Sequence, residues 1–270
     1  NYFSSTEPII ENYDSENTIC YEYSYIQFDY IISSNLSNQW LKKCGDHNLN
    51  YISLGPIFSD IAYNSKKSSI ETKNIYGIPS DKKIITFFDH TVGQKGIENQ
   101  NSYNLFLESI VSIANKYNEY LCIFKSKKNY EELKKQINTD GLKNIKKILN
   151  SNKVLYANDL KISSLELIGI SNLIISSPLS SVIYESFSVS TIAITYDSFK
   201  QYDKLDALSV KMPKSYATNY NELIKLIDYW LEEATDKDVD DYIDDYVSDV
   251  ININKHGNIF DLNKKTLINL

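Results

Sequence analysis

The sequence predicts an α/β protein built around a parallel β-sheet. From Lys83 onward, short apolar segments that read as strands alternate with amphipathic segments that read as helices. This alternation is typical of a parallel sheet that is covered by helices on both faces. The chain has 270 residues. That length can bury a full core and allows either one large domain or two smaller ones.

Five strands are predicted after Lys83, because runs of apolar residues are bounded there by polar residues and turns. They are Ile84–Phe88, Tyr120–Phe124, Val154–Tyr156, Leu173–Ser176 and Thr191–Tyr196. Right-handed crossovers between such strands make a doubly wound sheet, and its ligand site lies at the carboxyl ends of the strands. The loops after the first, second, fourth and fifth of these strands are therefore the predicted binding loops.

Helices are predicted between and after these strands. In Ser102–Asn118, apolar residues recur at steps of three and four and mark one buried stripe. Asp159–Ile170 and Ser180–Val189 are the later crossover helices. The last third also reads as helical, with one apolar stripe over 220–231 and another over 239–250. Its many acidic residues fall mainly opposite these stripes, which favours a solvated face over a metal site.

The part before Lys83 reads as a smaller lobe followed by a linker. Three strands and one helix are predicted there: Thr18–Tyr23, Asp29–Ser33, Asn35–Cys44 (the helix) and Tyr51–Leu54. Residues 60–81 are polar and show no convincing periodicity. We therefore predict a partial or truncated N-terminal α/β lobe at 1–62, a linker at 63–82, a Rossmann-type domain at 83–215 and C-terminal helices at 216–270. The start at Asn1 and the single methionine, Met212, favour a piece of a longer protein.

Composition and charge exclude several classes of protein. The net charge is −7 and the chain contains no arginine. A nucleic-acid surface is therefore not expected, because duplex binding rests on many Lys and Arg contacts to phosphate. Any phosphate site must use lysines, hydroxyls and helix N-termini. We expect a cytoplasmic protein, since no segment approaches the roughly 18–20 apolar residues of a membrane span and no signal pattern opens the chain. The three cysteines lack metal-ligand spacing.

The stretch 171–197 carries the strongest functional signal. An apolar strand ends in one pair of serines, and another pair stands where the next helix begins: Ser176, Ser177, Ser180 and Ser181. Ser180 or Ser181 can cap that helix, whose free amides and positive dipole end suit a phosphate group. Glu185 lies one helical turn further on, where a carboxylate can accept both hydroxyls of a ribose. An isolated serine pair is usually only a helix cap, but here strand, loop, helix and acid follow in the order that a nucleotide requires.

Other candidate residues follow the first two predicted strands. Asp89, His90, Thr91 and Gly93 lie in the loop after Phe88. His90 can donate to phosphate or transfer a proton, or it can be a loop histidine bonded to backbone. Lys125, at the end of the second strand, can neutralise a phosphate or be an ordinary surface lysine.

The quoted residues resemble the C-terminal domain of the GT-B superfamily, especially bacterial surface-polysaccharide and lipopolysaccharide transferases with cytidine-nucleotide donors. In bacterial sialyltransferases and Kdo transferases, a serine-rich motif in this place holds the donor phosphate, as Ser180 and Ser181 would here. The teichoic-acid glycerophosphotransferases have a similar serine pair followed by Val, Ile or Phe and an acidic residue, which the letters SSVIYE at 180–185 also resemble. The resemblance covers about 83–229. The His-Pro pair and the acidic motif of the sialyltransferases are missing.

The resemblance implies a metal-independent glycosyltransferase that needs no cofactor. Its implied donor-binding residues are Ser176, Ser177, Ser180, Ser181, Glu185, Lys125, Thr91 and Gly93, and its implied catalytic residues are His90 and Asp89. The donor would be CMP-, CDP- or UDP-linked, with CMP-Kdo or a similar keto sugar as first choice. The acceptor would be a saccharide or glycolipid of a surface polysaccharide or lipopolysaccharide, with possible peripheral association at the inner face of the membrane. A UDP-sugar 2-epimerase, a teichoic-acid-type glycerophosphotransferase and a non-catalytic nucleotide-sugar-binding lobe remain open alternatives.

Overall fold

A computed structural model describes residues 30–33, 50–56, 58–90, 92, 100–178, 180–200, 212–248 and 251–269. Two short strands, β1 (Tyr30–Ser33) and β2 (Asn50–Ser53), pair in parallel and form a small sheet. The main sheet has six strands: β3 (Lys83–Phe88), β4 (Tyr120–Lys125), β5 (Val154–Tyr156), β6 (Leu173–Ser176), β7 (Ala193–Tyr196) and β8 (Tyr216–Ala217).

The main sheet is a doubly wound parallel sheet, as predicted. Its strand order is β5-β4-β3-β6-β7-β8, and every neighbouring pair runs in parallel. The five strands predicted after Lys83 are confirmed to within two residues, while the two-residue strand β8 is too short to give a sequence signal. Because all strands are parallel, their carboxyl ends meet at one border of the sheet, which we call the carboxyl edge.

The described helices cover both the predicted crossovers and segments where none was predicted. They are α1 (Ser59–Lys67), α2 (Ser69–Ile75), α3 (Gln100–Lys116), α4 (Tyr130–Leu133), α5 (Thr139–Leu149), α6 (Ala157–Leu160), α7 (Ser164–Ile170), α8 (Val182–Phe187), α9 (Tyr220–Asp228), α10 (Asp236–Tyr246) and α11 (Ile259–Ile268). A π-helical turn, Tyr229–Glu233, continues α9.

The crossover helices are confirmed with two changes. The apolar stripe of α3 is buried in the core through Tyr103, Phe106 and Leu107. The helix predicted over 159–170 is divided into α6 and α7, because Lys161 has a left-handed backbone conformation (φ 56°) and Ser163 then starts a new helix with a capping box. Helix α8 is shorter than predicted.

The segment predicted as a linker contains two helices, α1 and α2, that its weak periodicity did not predict. The reason is the kind of residue that α1 buries. Its buried positions are Ser59, Ala62 and Ser65, which are small and partly polar and give little apolar periodicity. The division of the whole chain into domains stays a prediction, and the strand 18–23 and helix 35–44 lie outside the described residues.

The acidic residues of the C-terminal helices lie on a solvated face, as predicted. Those described from 232 to 245 are all exposed, whereas Tyr242 and Ile243 of α10 are buried. In the described part of the chain, no group of His, Cys, Asp and Glu side chains is arranged to hold a metal ion. Within the same residues, every helix is too short or too polar to cross a membrane.

Candidate functional site

The candidate site is the crevice at the carboxyl edge between β3 and β6. The strand order reverses between these two strands, and ligands of doubly wound sheets bind outside the carboxyl ends at such a point. Phe88 pairs in register with Ser176, and the backbone amide of Ser177 donates to Phe88 O at 3.0 Å. The loops that begin at Asp89 and Ser177 therefore leave the sheet side by side.

The first serine pair lies where β6 ends, at the border of the crevice. Ser176 and Ser177 are both fully buried. Ser176 Oγ donates to the carbonyl oxygen of Ser177 at 3.0 Å. Among the described residues, none makes a hydrogen bond with the buried Ser177 Oγ. A buried hydroxyl without a partner is costly in the free protein, since it has lost its water without replacement.

Alanine substitutions at the two serines are expected to change the stability of the protein in opposite directions. Ser177→Ala is expected to raise the free energy of unfolding of the ligand-free protein by about 1 kcal/mol, because it removes the unsatisfied hydroxyl. Ser176→Ala is expected to lower it by about 1 kcal/mol, because it removes a hydrogen bond. Urea unfolding of both variants measures the two signs. Equal losses of stability would show that the Ser177 hydroxyl is satisfied.

The second serine pair precedes α8 but does not form the predicted side-chain cap at Ser181. Ser181 already has a helical conformation (φ −61°, ψ −24°), and its side chain accepts no amide of the first turn. Its hydroxyl instead bonds to the side chain of Glu185. Ser180 is buried beside it. The sequence motif is therefore present at the crevice, with the serine and the acid joined to each other.

Glu185 is half-buried in α8, one turn from Ser181, as the spacing predicts. Burial raises the pKa of its carboxyl group above the usual value, and the hydrogen bond from Ser181 opposes that rise. A partly desolvated carboxylate makes stronger hydrogen bonds than one in bulk water. The geometry therefore suits the acceptor role that the sequence assigns to this residue.

Asp89 lies directly after β3 and is buried. Its Oδ2 accepts from Tyr103 Oη at 2.7 Å and from Ser126 Oγ at 2.6 Å, and its Oδ1 accepts from the backbone amide of Lys127 at 2.6 Å. Burial raises the pKa of Asp89 to about 6, against the lowering effect of these donors. Three internal donors therefore occupy the carboxylate. His90 beside it is half-buried, and Thr91 and Gly93 lie outside the described residues.

Lys125 lies at the carboxyl end of β4, next to β3. Its ammonium donates to the carbonyl oxygen of Ile162 at 3.1 Å, and burial lowers its pKa. Asp197, at the carboxyl end of β7, is buried and accepts from Tyr216 Oη at 2.5 Å. The crevice thus has a lysine on one side and a buried acid on the other. The direction of the Asp197 side chain could not be read from the sequence.

A cavity of about 510 Å³ lies away from this crevice, near the amino end of β7. Lys66, one of its lining residues, donates to the carbonyl oxygens of Val189 and Ser190 at 2.9 and 2.8 Å. These carbonyls follow the last turn of α8, so Lys66 satisfies the end of that helix. Its ammonium has a structural role, and the cavity does not contain the serine motif.

The chain is similar to one protein family in sequence and to several solved structures in fold. A sequence model of the family described as "Polysaccharide biosynthesis PFTS motif protein" matches residues 2–227. A search among curated proteins finds no match. Several solved structures share the fold, including the wall teichoic acid polymerase TagF, which is 16% identical with a TM-score of 0.59 over 90% of this chain and 59% of that chain.

Two further structures resemble the chain to a similar degree. A TagF variant soaked with CDPG is 16% identical, with a TM-score of 0.55 over 98% of this chain and 67% of that chain. The UDP-GlcNAc 2-epimerase from Neisseria meningitidis bound to UDP-GlcNAc is 15% identical, with a TM-score of 0.53 over 86% of this chain and 59% of that chain. The predicted GT-B-like fold is therefore confirmed. The chain spans 59% of the length of the first TagF structure.

Proposed function

This chain belongs to the polysaccharide biosynthesis PFTS motif family, and we propose that it is the donor-binding part of a transferase that uses a nucleotide-linked donor. One observation carries the proposal. The motif Ser180–Glu185 lies beside the point where the strand order of a doubly wound sheet reverses, and such sheets bind their ligands there.

The residues around the crevice suit the two polar parts of a nucleotide. The hydroxyls of Ser177, Ser180 and Ser181 would donate to the phosphates, and Lys125 would supply positive charge. Glu185 would accept the hydroxyls of the ribose. In the transfer step, an acceptor hydroxyl attacks the donor, and the serine hydroxyls stabilise the charge that develops on the departing nucleotide phosphate. His90 is the histidine nearest to this crevice in the described sequence, and we propose it as the general base.

We propose a cytidine nucleotide as the donor, with a CDP-linked donor before the CMP-linked keto sugar that the sequence suggested first. The letters SSVIYE and the fold shared with TagF support this order. They also favour a second candidate reaction, the transfer of glycerophosphate rather than of a sugar, in which the acceptor hydroxyl attacks phosphorus. Because the epimerase fold is also similar, turnover of UDP-GlcNAc without an acceptor would support that enzyme class and contradict a transferase. Peripheral association with a membrane stays a prediction.

A thermal unfolding panel with CMP, CDP, UDP and GDP tests the proposal. A ligand at about 100 times its dissociation constant stabilises a protein by roughly 2.7 kcal/mol, so binding gives a clear rise in melting temperature. We expect CDP to give the largest rise. No rise with any of the four nucleotides would refute a nucleotide site.

Glu185→Gln tests the ribose contact. The variant keeps the shape of the side chain but loses the charge, so we expect the affinity for CDP to fall about tenfold, a typical effect for one charge-assisted hydrogen bond. Isothermal titration calorimetry measures the affinity. Glu119→Gln is the control, because Glu119 is exposed just before β4, at the opposite end of the sheet. Equal affinities of both variants would place the ribose elsewhere.

A further inference from the structure

The loop after β4, Ser126–Lys128, is held from the side of β3 by Asp89. The Asp89 carboxylate accepts from Ser126 Oγ and from the amide of Lys127, at 2.6 Å in both cases. The amide of Lys128 in turn donates to Ser126 Oγ at 3.3 Å. Tyr103 of α3 donates to the same carboxylate and fixes its orientation. One buried acid therefore ties the ends of two neighbouring strands together.

The same loop is held from the side of β5 by Asn158. The Asn158 side chain accepts from the amide of Ser126 at 3.0 Å and donates to the carbonyl oxygens of Ser126 and Lys128 at 2.9 and 3.2 Å. Tyr156 Oη adds a bond to the carbonyl oxygen of Lys128 at 3.2 Å. Side chains from two directions thus bond four of the six backbone polar groups of this loop, and Ser126 Oγ within the loop bonds a fifth, which makes its conformation rigid.

This rigid loop also carries the densest positive charge described at the carboxyl edge. Lys125, Lys127 and Lys128 lie within four positions, and Lys127 is exposed. The described residues directly after β3 and β6 contain no lysine, and the whole sequence contains no arginine. Since β4 and β3 are neighbours in the sheet, about 4.8 Å apart, an extended lysine side chain can reach from this loop to the crevice.

We propose that Ser126–Lys128 is a preformed phosphate-contact loop of the donor site, in which Lys127 and Lys128 supply charge and Asp89 and Asn158 are positioning residues. This inference rests on the proposed function and names further residues of the same site. It changes the predicted role of Asp89 from catalysis to positioning, because the three donors of the chain already occupy its carboxylate. A preformed loop binds an anion without a further loss of conformational entropy.

Calorimetric titration of the full chain with CDP and with cytidine tests the inference, because only CDP carries phosphate. The double variant Lys127→Ala, Lys128→Ala is expected to bind CDP about tenfold more weakly and cytidine with unchanged affinity. Asn158→Ala keeps both lysines but releases the loop, and we expect a similar selective loss together with faster hydrogen exchange of the Ser126 and Lys127 amides. Asn152→Ala is the control, since Asn152 is exposed at the amino end of β5.

The results of these titrations distinguish the inference from the proposed function. Unchanged CDP affinity in the double variant would overturn the inference, and so would an equal loss of CDP and cytidine affinity, which would mean general damage rather than a lost phosphate contact. Lys127→Ala alone replaces an exposed side chain and gives the same test if another variant does not fold. If the unmodified protein binds CDP but the variants show no selective loss of CDP affinity, only this inference is contradicted. If it binds none of CMP, CDP, UDP and GDP, the proposed function fails and the inference fails with it.

Discussion

Replacing Gly169 by alanine is expected to lower the free energy of unfolding by about 3 kcal/mol, because no side-chain atom fits between α7 and α1. A Cβ atom at Gly169 would lie 2.3 Å from the carbonyl oxygen of Ala62, 2.7 Å from Ser65 Cβ and 2.9 Å from the amide nitrogen of Lys66. Two of these three atoms belong to the backbone, so rotation of a side chain cannot relieve the clash. The two helices would have to separate.

Urea unfolding followed by circular dichroism measures this effect, and Gly77→Ala is the matched control. Gly77 has a positive φ of 66°, but nothing lies within 4 Å of its would-be Cβ. The control should therefore lose only the cost of a left-handed alanine, about 1 kcal/mol. Similar losses in the two variants would mean that α7 and α1 can move apart freely and that their close contact does not stabilise the fold.

The contact at Gly169 also explains why part of the fold could not be predicted from the sequence. Large apolar residues at regular steps identify β3 to β7 and α3, because burial of such residues is what the pattern records. Helix α1 instead buries Ser59, Ala62 and Ser65, whose small size allows the backbone of α7 to approach. The repeat of small residues at steps of three was the available signal. It has a meaning only once the partner helix, about a hundred residues later, is known.

The candidate site was predictable to a similar extent. The rule that parallel strands share a carboxyl edge identifies the loops after β3, β4 and β6, and spacing along α8 places Glu185 one turn from Ser181. The strand order, which selects the crevice between β3 and β6, depends on pairing between distant segments. The bonds from Asp89 and Asn158 to one loop span 30 to 38 positions of sequence. No local pattern contains them, so the sequence suggested catalysis for Asp89, and the positioning role proposed above could be inferred only from its contacts.

Asp60→Ala is expected to lower the free energy of unfolding by about 2–3 kcal/mol, because Asp60 caps a helix that is distant in sequence. Its carboxylate accepts from the backbone amides of Ile259 and Phe260 at 3.0 and 3.1 Å and from Asn254 Nδ2 at 2.7 Å. These amides open α11, and the side chain of the preceding residue, Asn258, does not cap them. An acid in α1 thus supplies the cap that α11 lacks locally.

The consequence of losing this cap extends to the segment that follows β2. The side-chain amide of Asn263 in α11 makes two hydrogen bonds with the backbone of Gly55, both at 2.9 Å, and a Cβ at Gly55 would lie 2.7 Å from Ile259. Release of α11 should therefore also release the backbone around Gly55. Hydrogen exchange of Asp60→Ala should show faster exchange at both places.

Asp261→Ala is the control for this prediction, because Asp261 is an exposed acid in the first turn of the same helix. It interacts with the helix dipole, and no hydrogen bond joins it to another segment of the described chain, so its loss should cost only about 0.5 kcal/mol and leave exchange near Gly55 unchanged. If Asp60→Ala and Asp261→Ala behaved alike, the carboxylate of Asp60 would be acting only as a nearby charge. A larger loss of stability in Asp60→Ala, together with faster hydrogen exchange near Gly55, would show instead that the hydrogen bonds of Asp60 connect α11 to the segment after β2.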